Sequence, residues 1–257
     1  MLYSSPLFTA YCLLITFLLG LVFGSFGNAW AWRLVHHEKI TKGRSHCASC
    51  GHPLAAKDLI PLVSYLSLKG RCRYCHKPIS RRYILAELTC ALLFVSLLLR
   101  FDLSLELLRF LILGFCLFVA SLVDLEDMWL PDGLLIAGAV AALLRLVTDP
   151  SAWKDMLLGA VCTALPLLLL VLIMDKILKK ESMGGGDIKL LAVLGLHFGP
   201  LKTLLLLILA CFIGLIIAVL KKKGRGTPFP FGPALAVAAW ITALAGDAIL
   251  QSYLSLF

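Results

Sequence analysis

Hydrophobic residues run along this chain in long blocks, cut at intervals by short polar or glycine-proline interruptions. A membrane-crossing helix needs roughly 20 mostly apolar residues, and eight blocks approach or exceed that length. They cover 7–32, 83–100, 105–123, 130–148, 155–175, 186–199, 201–220 and 231–256. Blocks that are apolar all round, rather than along one stripe, predict helices surrounded by lipid or protein. The sixth block is short and starts at Asp187. Gly184, Gly185 and Gly186 precede it, and glycine tolerates backbone angles that other residues avoid, so a sharp turn is expected there. Pro166 falls mid-block and predicts a kink in the fifth helix. One long polar stretch, 33–82, stands apart. The pattern predicts an all-α polytopic membrane protein of about eight transmembrane helices with one sizeable extramembrane loop domain.

Composition agrees with the pattern. The 257 residues are 60% hydrophobic and 15% charged, and mean hydropathy is +0.94. Soluble domains average roughly 45–50% apolar and about 25% charged. Residues 1–7 carry no basic cluster and no small-residue cleavage site follows, so the first block reads as a retained span.

The net charge of +9 raises the question of nucleic acid, which the distribution answers. Of the 24 Lys and Arg, 19 fall in 33–82, 176–189 and 221–225. Such clustering is what the positive-inside rule produces, so no nucleic-acid partner is expected and the lipid bilayer is. Placing these segments in the cytoplasm puts 33–82, 124–129, 176–186 and 221–230 on that side and both termini outside. Small residues such as Gly138, Ala141 and Ala142 permit close helix packing, within one chain or between copies.

The polar stretch holds Cys47-Ala48-Ser49-Cys50 and Cys72-Arg73-Tyr74-Cys75. A CxxC knuckle aims two sulfurs at one point, and two knuckles close a tetrahedral Zn²⁺ site with no open position for water. The metal would be structural, ordering a segment with little hydrophobic core. Two disulfides are the alternative, and a reducing cytoplasm opposes them. His46, His52 and His76 flank the cysteines; they could substitute as ligands, and the simpler reading is solvated loop residues. No internal repeat is evident.

Two aspartates stand where apolar blocks meet polar turns. Asp124 lies in Val123-Asp124-Leu125-Glu126-Asp127 and Asp187 in Gly184-Gly185-Gly186-Asp187-Ile188-Lys189. An ionisable group at a membrane boundary is costly unless paired or functional. Helix capping explains each singly, and Asp132 after Pro131 reads as a helix-start residue. Together, on one side of the membrane, they suggest an aspartyl protease pair: one carboxylate deprotonates a water while the other, protonated, polarises the scissile carbonyl. Lys189 is expected to point away, toward lipid headgroups or a loop carboxylate.

The residues also resemble a known family, the type IV prepilin peptidases (prepilin leader peptidase/N-methyltransferase). The resemblance runs through most of 20–235. It rests on Gly24-Ser25-Phe26-Gly27-Asn28 with Arg33-Leu34, the two cysteine knuckles, and Ile79-Ser80-Arg81-Arg82-Tyr83 with Glu87-Leu88. It continues through Asp124 to Leu130-Pro131-Asp132, Gly184-Gly185-Gly186-Asp187 and Pro230-Phe231-Gly232-Pro233. Departures are Lys57-Asp58-Leu59-Ile60-Pro61, where the family often has Asn-Ile-Pro, and Val35-His36-His37 after the first Arg-Leu.

The resemblance implies a bacterial inner-membrane aspartyl endopeptidase that cuts basic leaders from prepilins or pseudopilins on the cytoplasmic side. Asp124 and Asp187 would be catalytic, Cys47, Cys50, Cys72 and Cys75 would hold structural Zn²⁺, and Gly184 and Gly186 would support the turn. It also implies N-methylation of the new amino terminus by S-adenosylmethionine, although no dinucleotide-type glycine fingerprint marks a donor site. The expected organisation is a first transmembrane helix at 1–32, a zinc-binding loop domain at 33–82 with a possible methyltransferase role, and a peptidase domain at 83–257. A GxGD intramembrane protease of another substrate class and a non-catalytic zinc-loop scaffold for pilus or secretion assembly are the rival readings.

Overall fold

The computed structural model describes residues 5–39, 43–179, 183–220 and 229–255. The basic run at 221–225 and residues 180–182, both used above to assign sidedness, lie outside the described residues. Among those described there is no strand, and the secondary structure is helical: α1 (Pro6–Val35), α2 (Val63–Ser67), α3 (Arg82–Phe101), α4 (Leu105–Asp127), α5 (Asp132–Ala142), α6 (Leu144–Thr148), α7 (Trp153–Leu178), α8 (Gly185–Leu220) and α9 (Gly232–Leu254). Six of them, α1, α3, α4, α7, α8 and α9, are long and apolar enough to cross a membrane. The protein is an all-α, multi-pass membrane protein.

The chain divides into two compact units, Met1–Leu103 and Ser104–Phe257. In the first, α1 and α3 pack along a seam of small residues. Gly20 lies against Ala91 and Gly24 against Glu87, so close that a Cβ on Gly24 would stand 2.7 Å from the Glu87 Cα. Interfaces inside membranes favour this approach because lipid offers no hydrophobic drive and packing must supply the attraction. Leu7, Leu14, Leu18 and Val22 remain exposed on α1, an outward apolar face suited to lipid.

In the second unit α4 is the central helix. It starts at Ser104, whose Oγ accepts the Leu107 N–H at 3.2 Å, a standard N-cap. It stops at Met128, which turns left-handed at φ 54°. α7 and α8 meet at Gly159 and Gly195, again through small residues.

Two features differ from the hydrophobic pattern. The fourth block is split into α5 and α6, neither long enough to span on its own. The sixth and seventh blocks form the two arms of α8, broken at Gly199 (φ 73°, ψ 176°) with Pro200 next. The first arm ends there because Gly199 takes a backbone conformation that side chains resist, and Pro200 has no N–H to continue the ladder. α7 runs on through Pro166 as one helix.

Candidate active site and metal centre

The two aspartates come together at one end of the second unit. Asp124 occupies the last turn of α4 and is 5% exposed. Alone at a helix C-terminus a carboxylate meets an unfavourable dipole. Here it is turned onto the start of another helix, because the backbone N–H of Gly232, the first residue of α9, donates to Asp124 Oδ2 at 2.9 Å. Asp187 lies in the first turn of α8, half-buried, where the dipole favours a negative charge. The two carboxyl groups are within electrostatic reach of each other. Leu130, buried between them in the chain's path, is the common packing partner: Cβ atoms added at Gly186 and at Gly232 would each stand 3.2 Å from it.

The glycines work differently from the expectation. None of Gly184, Gly185 and Gly186 has a positive φ; among the described glycines that conformation occurs at Gly43, Gly51, Gly70 and Gly199. What Gly186 supplies is close approach to Leu130, and Gly184 lies beside Asp187 Oδ2. Gly232 was quoted above only as part of a motif. Its function in the geometry is plain: an added Cβ would stand 2.8 Å from Asp124 Oδ2.

The neighbouring charges sort as the sequence suggests. Lys189 turns away and pairs with Asp132 at 2.8 Å, both well exposed. Asp132 opens α5 in its first turn. Glu126 and Asp127 are exposed.

The opposite end of the second unit holds a polar cluster that sequence reading missed. Arg109, 4% exposed, donates from Nη1 to the His197 carbonyl at 2.9 Å and pairs with Glu106. His197 Nε2 donates to the Gly138 carbonyl at 2.9 Å, which leaves Nδ1 as acceptor toward Arg109 Nη1 at 3.4 Å. Arg145 pairs with Asp155 at 2.8 Å, and Asp155 lies directly against Gly199. The cluster thus closes the break in α8: a guanidinium covers a carbonyl at the end of the first arm, and a carboxylate faces the start of the second. No local motif announces these residues; only the break at Gly199-Pro200 hints that freed backbone groups need partners.

In the first unit, the sulfurs of Cys47, Cys50, Cys72 and Cys75 all lie within 4.8 Å of one another, and no disulfide joins them. Tetrahedral coordination with Zn–S near 2.3 Å needs sulfurs about 3.8 Å apart. Cys47 and Cys75 stand at 4.0 Å. The donor set fits zinc. Thiol electrostatics point the same way. Burial pushes Cys47 up, yet the Ser49 and Cys50 amides and neighbouring thiols outweigh it and bring it to about 7. The His52 amide favours a Cys50 thiolate, but desolvation and the crowding by Cys47 and Cys75 hold it at about 11. Crowded thiolates disfavour one another, and a cation among them removes that penalty.

The two knuckles are copies of each other, contrary to the expectation of no repeat. Cys47 N–H donates to the His52 carbonyl at 2.9 Å, and Leu54 N–H to Ser45 at 2.7 Å. Cys72 N–H donates to Lys77 at 2.9 Å, and Ile79 N–H to Gly70 at 2.7 Å. Each closes with one bridge, His46 with Pro53 and Arg71 with Pro78. The left-handed position is Gly51 in the first (φ 69°) and His76 in the second (φ 56°). The shared spelling Cys-x-x-Cys-x-x-Pro was the available signal. Between the knuckles, Asp58 binds Arg73 Nε at 2.6 Å and Tyr74 OH at 3.1 Å, while the His52 ring lies 3.7 Å from that of Tyr74. The flanking histidines are therefore ring-packed or turn residues, outside the sulfur cluster.

Comparison with known proteins adds the following. Residues 18–101 match the bacterial Peptidase A24 N-terminal domain, and residues 110–219 match the type IV leader peptidase family. The prepilin leader peptidase/N-methyltransferase of Pseudomonas putida is 35% identical, over 96% of this chain and 95% of its own. That of Aeromonas hydrophila is 39% identical, over 83% of this chain and 76% of its own. A type 4 prepilin-like proteins leader peptide-processing enzyme of Escherichia coli O78:H11 is 37% identical, over 85% and 88%. No solved structure matches significantly.

Proposed function

Because the chain belongs to the type IV leader peptidase family, we propose that it is an aspartyl endopeptidase of the bacterial inner membrane, that it removes leader peptides from type IV prepilins or pseudopilins at the cytoplasmic face, and that it N-methylates the new amino terminus. The observation that carries the proposal is the convergence of Asp124 and Asp187 at one end of the second unit, Asp124 bound to the first N–H of α9 and Asp187 in the first turn of α8.

The reaction follows from the chemistry of such a pair. One carboxylate takes a proton from a water as its oxygen attacks the scissile carbonyl carbon. The other carboxyl hydrogen-bonds to the carbonyl oxygen as negative charge develops there. Collapse of the tetrahedral intermediate breaks the C–N bond, and the departing amine takes up the proton that the first carboxylate removed from water. The Gly232 N–H, bound to Asp124 Oδ2, fixes which oxygen of that carboxylate remains for water. The substrate's apolar helix would lie in the bilayer and its basic leader in the cytoplasm, so the bond to be cut is presented at the boundary. Water reaches that level more easily than the bilayer centre.

The zinc loop supports the fold. Cys47, Cys50, Cys72 and Cys75 would hold the ion, which cross-links a segment with few apolar contacts of its own. In the functional division proposed here, 1–32 is the first span, 33–82 carries the zinc and contributes to methyl transfer, and 83–257 carries peptide cleavage. S-adenosylmethionine, when bound, supplies a methyl group on a sulfonium leaving group. The relatives' names support this second activity.

The test is a cleavage assay in membranes, with a prepilin co-expressed beside wild type, Asp124→Asn or Asp187→Asn and the mature terminus read by mass spectrometry. Each variant should lose activity by about 10²-fold or more. Normal cleavage in either, with the protein present at wild-type level, would remove the aspartyl mechanism. Tolerance in both, with the cysteines indispensable for pilus assembly, would favour a scaffold.

A further inference from the structure

Glu87 on α3 is a buried carboxylate that the proteolytic mechanism does not use. It is 8% exposed, and one oxygen, Oε2, accepts the backbone N–H of Leu62 at 2.8 Å. Leu62 itself is held at φ 61°, ψ −51°, with the Val63 N–H bonded back to the Pro61 carbonyl, a tight turn that side-chain-bearing residues rarely adopt. Among the described residues no cation pairs with Glu87. Removing a carboxylate from water without a cation is expensive, and in membrane proteins such a group marks a function by default.

A second buried polar side chain lies on the same seam. Asn28 on α1 is 5% exposed and makes no side-chain hydrogen bond among the described residues. Its position follows from the register of the α1–α3 seam. Gly20 sits against Ala91 and Gly24 against Glu87, so the helices run antiparallel and Asn28 lies one turn beyond Glu87, toward the start of α3. Side chains lean toward the N-terminus of their own helix. Glu87 therefore leans toward Asn28 and Asn28 back toward Glu87. The register thus brings a buried carboxylate and a buried amide toward one another on the seam, with one carboxylate oxygen held by the Leu62 N–H.

We propose that Asn28 and Glu87 form a pocket in the first unit that binds a primary ammonium group. The chemistry is specific. An ammonium carries three donors and a positive charge, and the pocket offers oxygen acceptors and an uncompensated negative charge. Under the functional reading above, on which this inference rests for its ligand, two molecules bring such a group: the mature substrate, at its newly exposed α-amine, and the methyl donor, at its amino-acid end.

A purely structural role makes a different prediction. If Glu87 only tethers the Leu62 turn, a glutamine would do the same, since its amide oxygen also accepts an N–H. Glu87→Gln therefore keeps the tether and removes the charge. Binding is to be measured on the full-length, zinc-loaded protein in detergent by calorimetry. The probes are a short apolar peptide with a free α-amine, the same peptide N-acetylated, and S-adenosylhomocysteine. One ammonium-bearing probe should bind wild type and weaken at least about ten-fold in Glu87→Gln, the loss of one charge-assisted hydrogen bond. The acetylated peptide should show no such difference. Asn28→Ala should weaken the same probe, and zinc content, as the check on folding, should match wild type in both variants. Loss confined to the peptide assigns the pocket to the methyl acceptor; loss confined to S-adenosylhomocysteine assigns it to the donor. Equal affinities in wild type and Glu87→Gln for both probes, or no binding of either to wild type, overturn the proposal. An unmethylated wild-type product in the cleavage assay, together with Glu87-dependent binding, would remove the methylation reading and leave the pocket standing.

Discussion

Gly232 donates its backbone N–H to Asp124 Oδ2 across 108 residues of sequence, and this single bond joins the end of α4 to the beginning of α9. It holds a carboxylate against a helix N-terminus that would otherwise lack an acceptor. The absence of a side chain at Gly232 is what allows the approach, since an added Cβ would stand 2.8 Å from that oxygen and 3.2 Å from Leu130.

Gly232→Ala should therefore disable cleavage without unfolding the protein. Overpacking costs about 1–3 kcal/mol, and the atom displaced is the Asp124 carboxylate or the Leu130 that separates it from Gly186. A fall in leader cleavage of roughly ten-fold or more is expected, with zinc content unchanged. Wild-type cleavage by Gly232→Ala would mean that Asp124 takes a different position when the enzyme works.

How legible this site was depends on the kind of residue. Asp124 and Asp187 stand out in the sequence because charge is costly beside apolar blocks, and the CxxC pairs because sulfur ligands need that spacing. Gly232 and Leu130 do not stand out, because their contribution is the room they leave or fill, which depends on helices brought together from distant sequence. The break at Gly199 was visible as Gly-Pro, yet the hydrophobic pattern alone could not say whether two blocks were two helices or one bent one. Arg109 and His197 were invisible as partners, since nothing local links α4 to the end of the first arm of α8.

In the zinc loop, Gly51→Ala isolates a backbone cost. Gly51 sits at φ 69° with nothing within 4 Å of an added Cβ, so sterics with neighbours are absent. The left-handed conformation alone costs an L-residue about 1–2 kcal/mol. Since folding of the loop and metal binding are coupled, zinc affinity should fall by roughly 5- to 30-fold, measured by competition with a chelating dye. His76→Gly, at the equivalent position of the second knuckle (φ 56°), should not weaken binding. An equal loss in both variants would show that the two knuckles do not share one backbone design.

Zinc retention should also depend on pH with a definite sign. The metal binds thiolates, so protons compete with it, and affinity should fall as pH drops below about 11, where the Cys50 thiol takes up its proton, and more steeply below about 7, where Cys47 follows. Asp58 adds a second, lower window. Its hydrogen bond from Arg73 lowers its carboxyl below the ordinary value of 3.8. A depressed acid stabilises the fold above its unfolded pKa, and that contribution is lost as pH falls through the lowered value. Asp58→Asn should therefore release zinc more readily at neutral pH and flatten the most acidic part of the profile. An unchanged profile would show that the Arg73–Asp58 contact does not bear on the knuckles.

Arg109 tests whether the polar cluster is a structural lock. A buried arginine in a spanning helix is usually taken as functional. Here its partners argue for a backbone role, because it donates to the carbonyl of His197 just before the break at Gly199-Pro200 and pairs with Glu106. Arg109→Leu removes the donor from a buried carbonyl and the partner from Glu106, at a cost of about 1–3 kcal/mol for the carbonyl alone. Arg109→Lys retains the charge but cannot reproduce the planar fork that serves both partners, so it should recover only part of the loss. The expected result is a lowered midpoint of thermal unfolding in detergent for Leu, an intermediate one for Lys, and cleavage per folded molecule near wild type in both. Cleavage abolished in Arg109→Leu at an unchanged midpoint would overturn the lock and make the cluster part of the reaction.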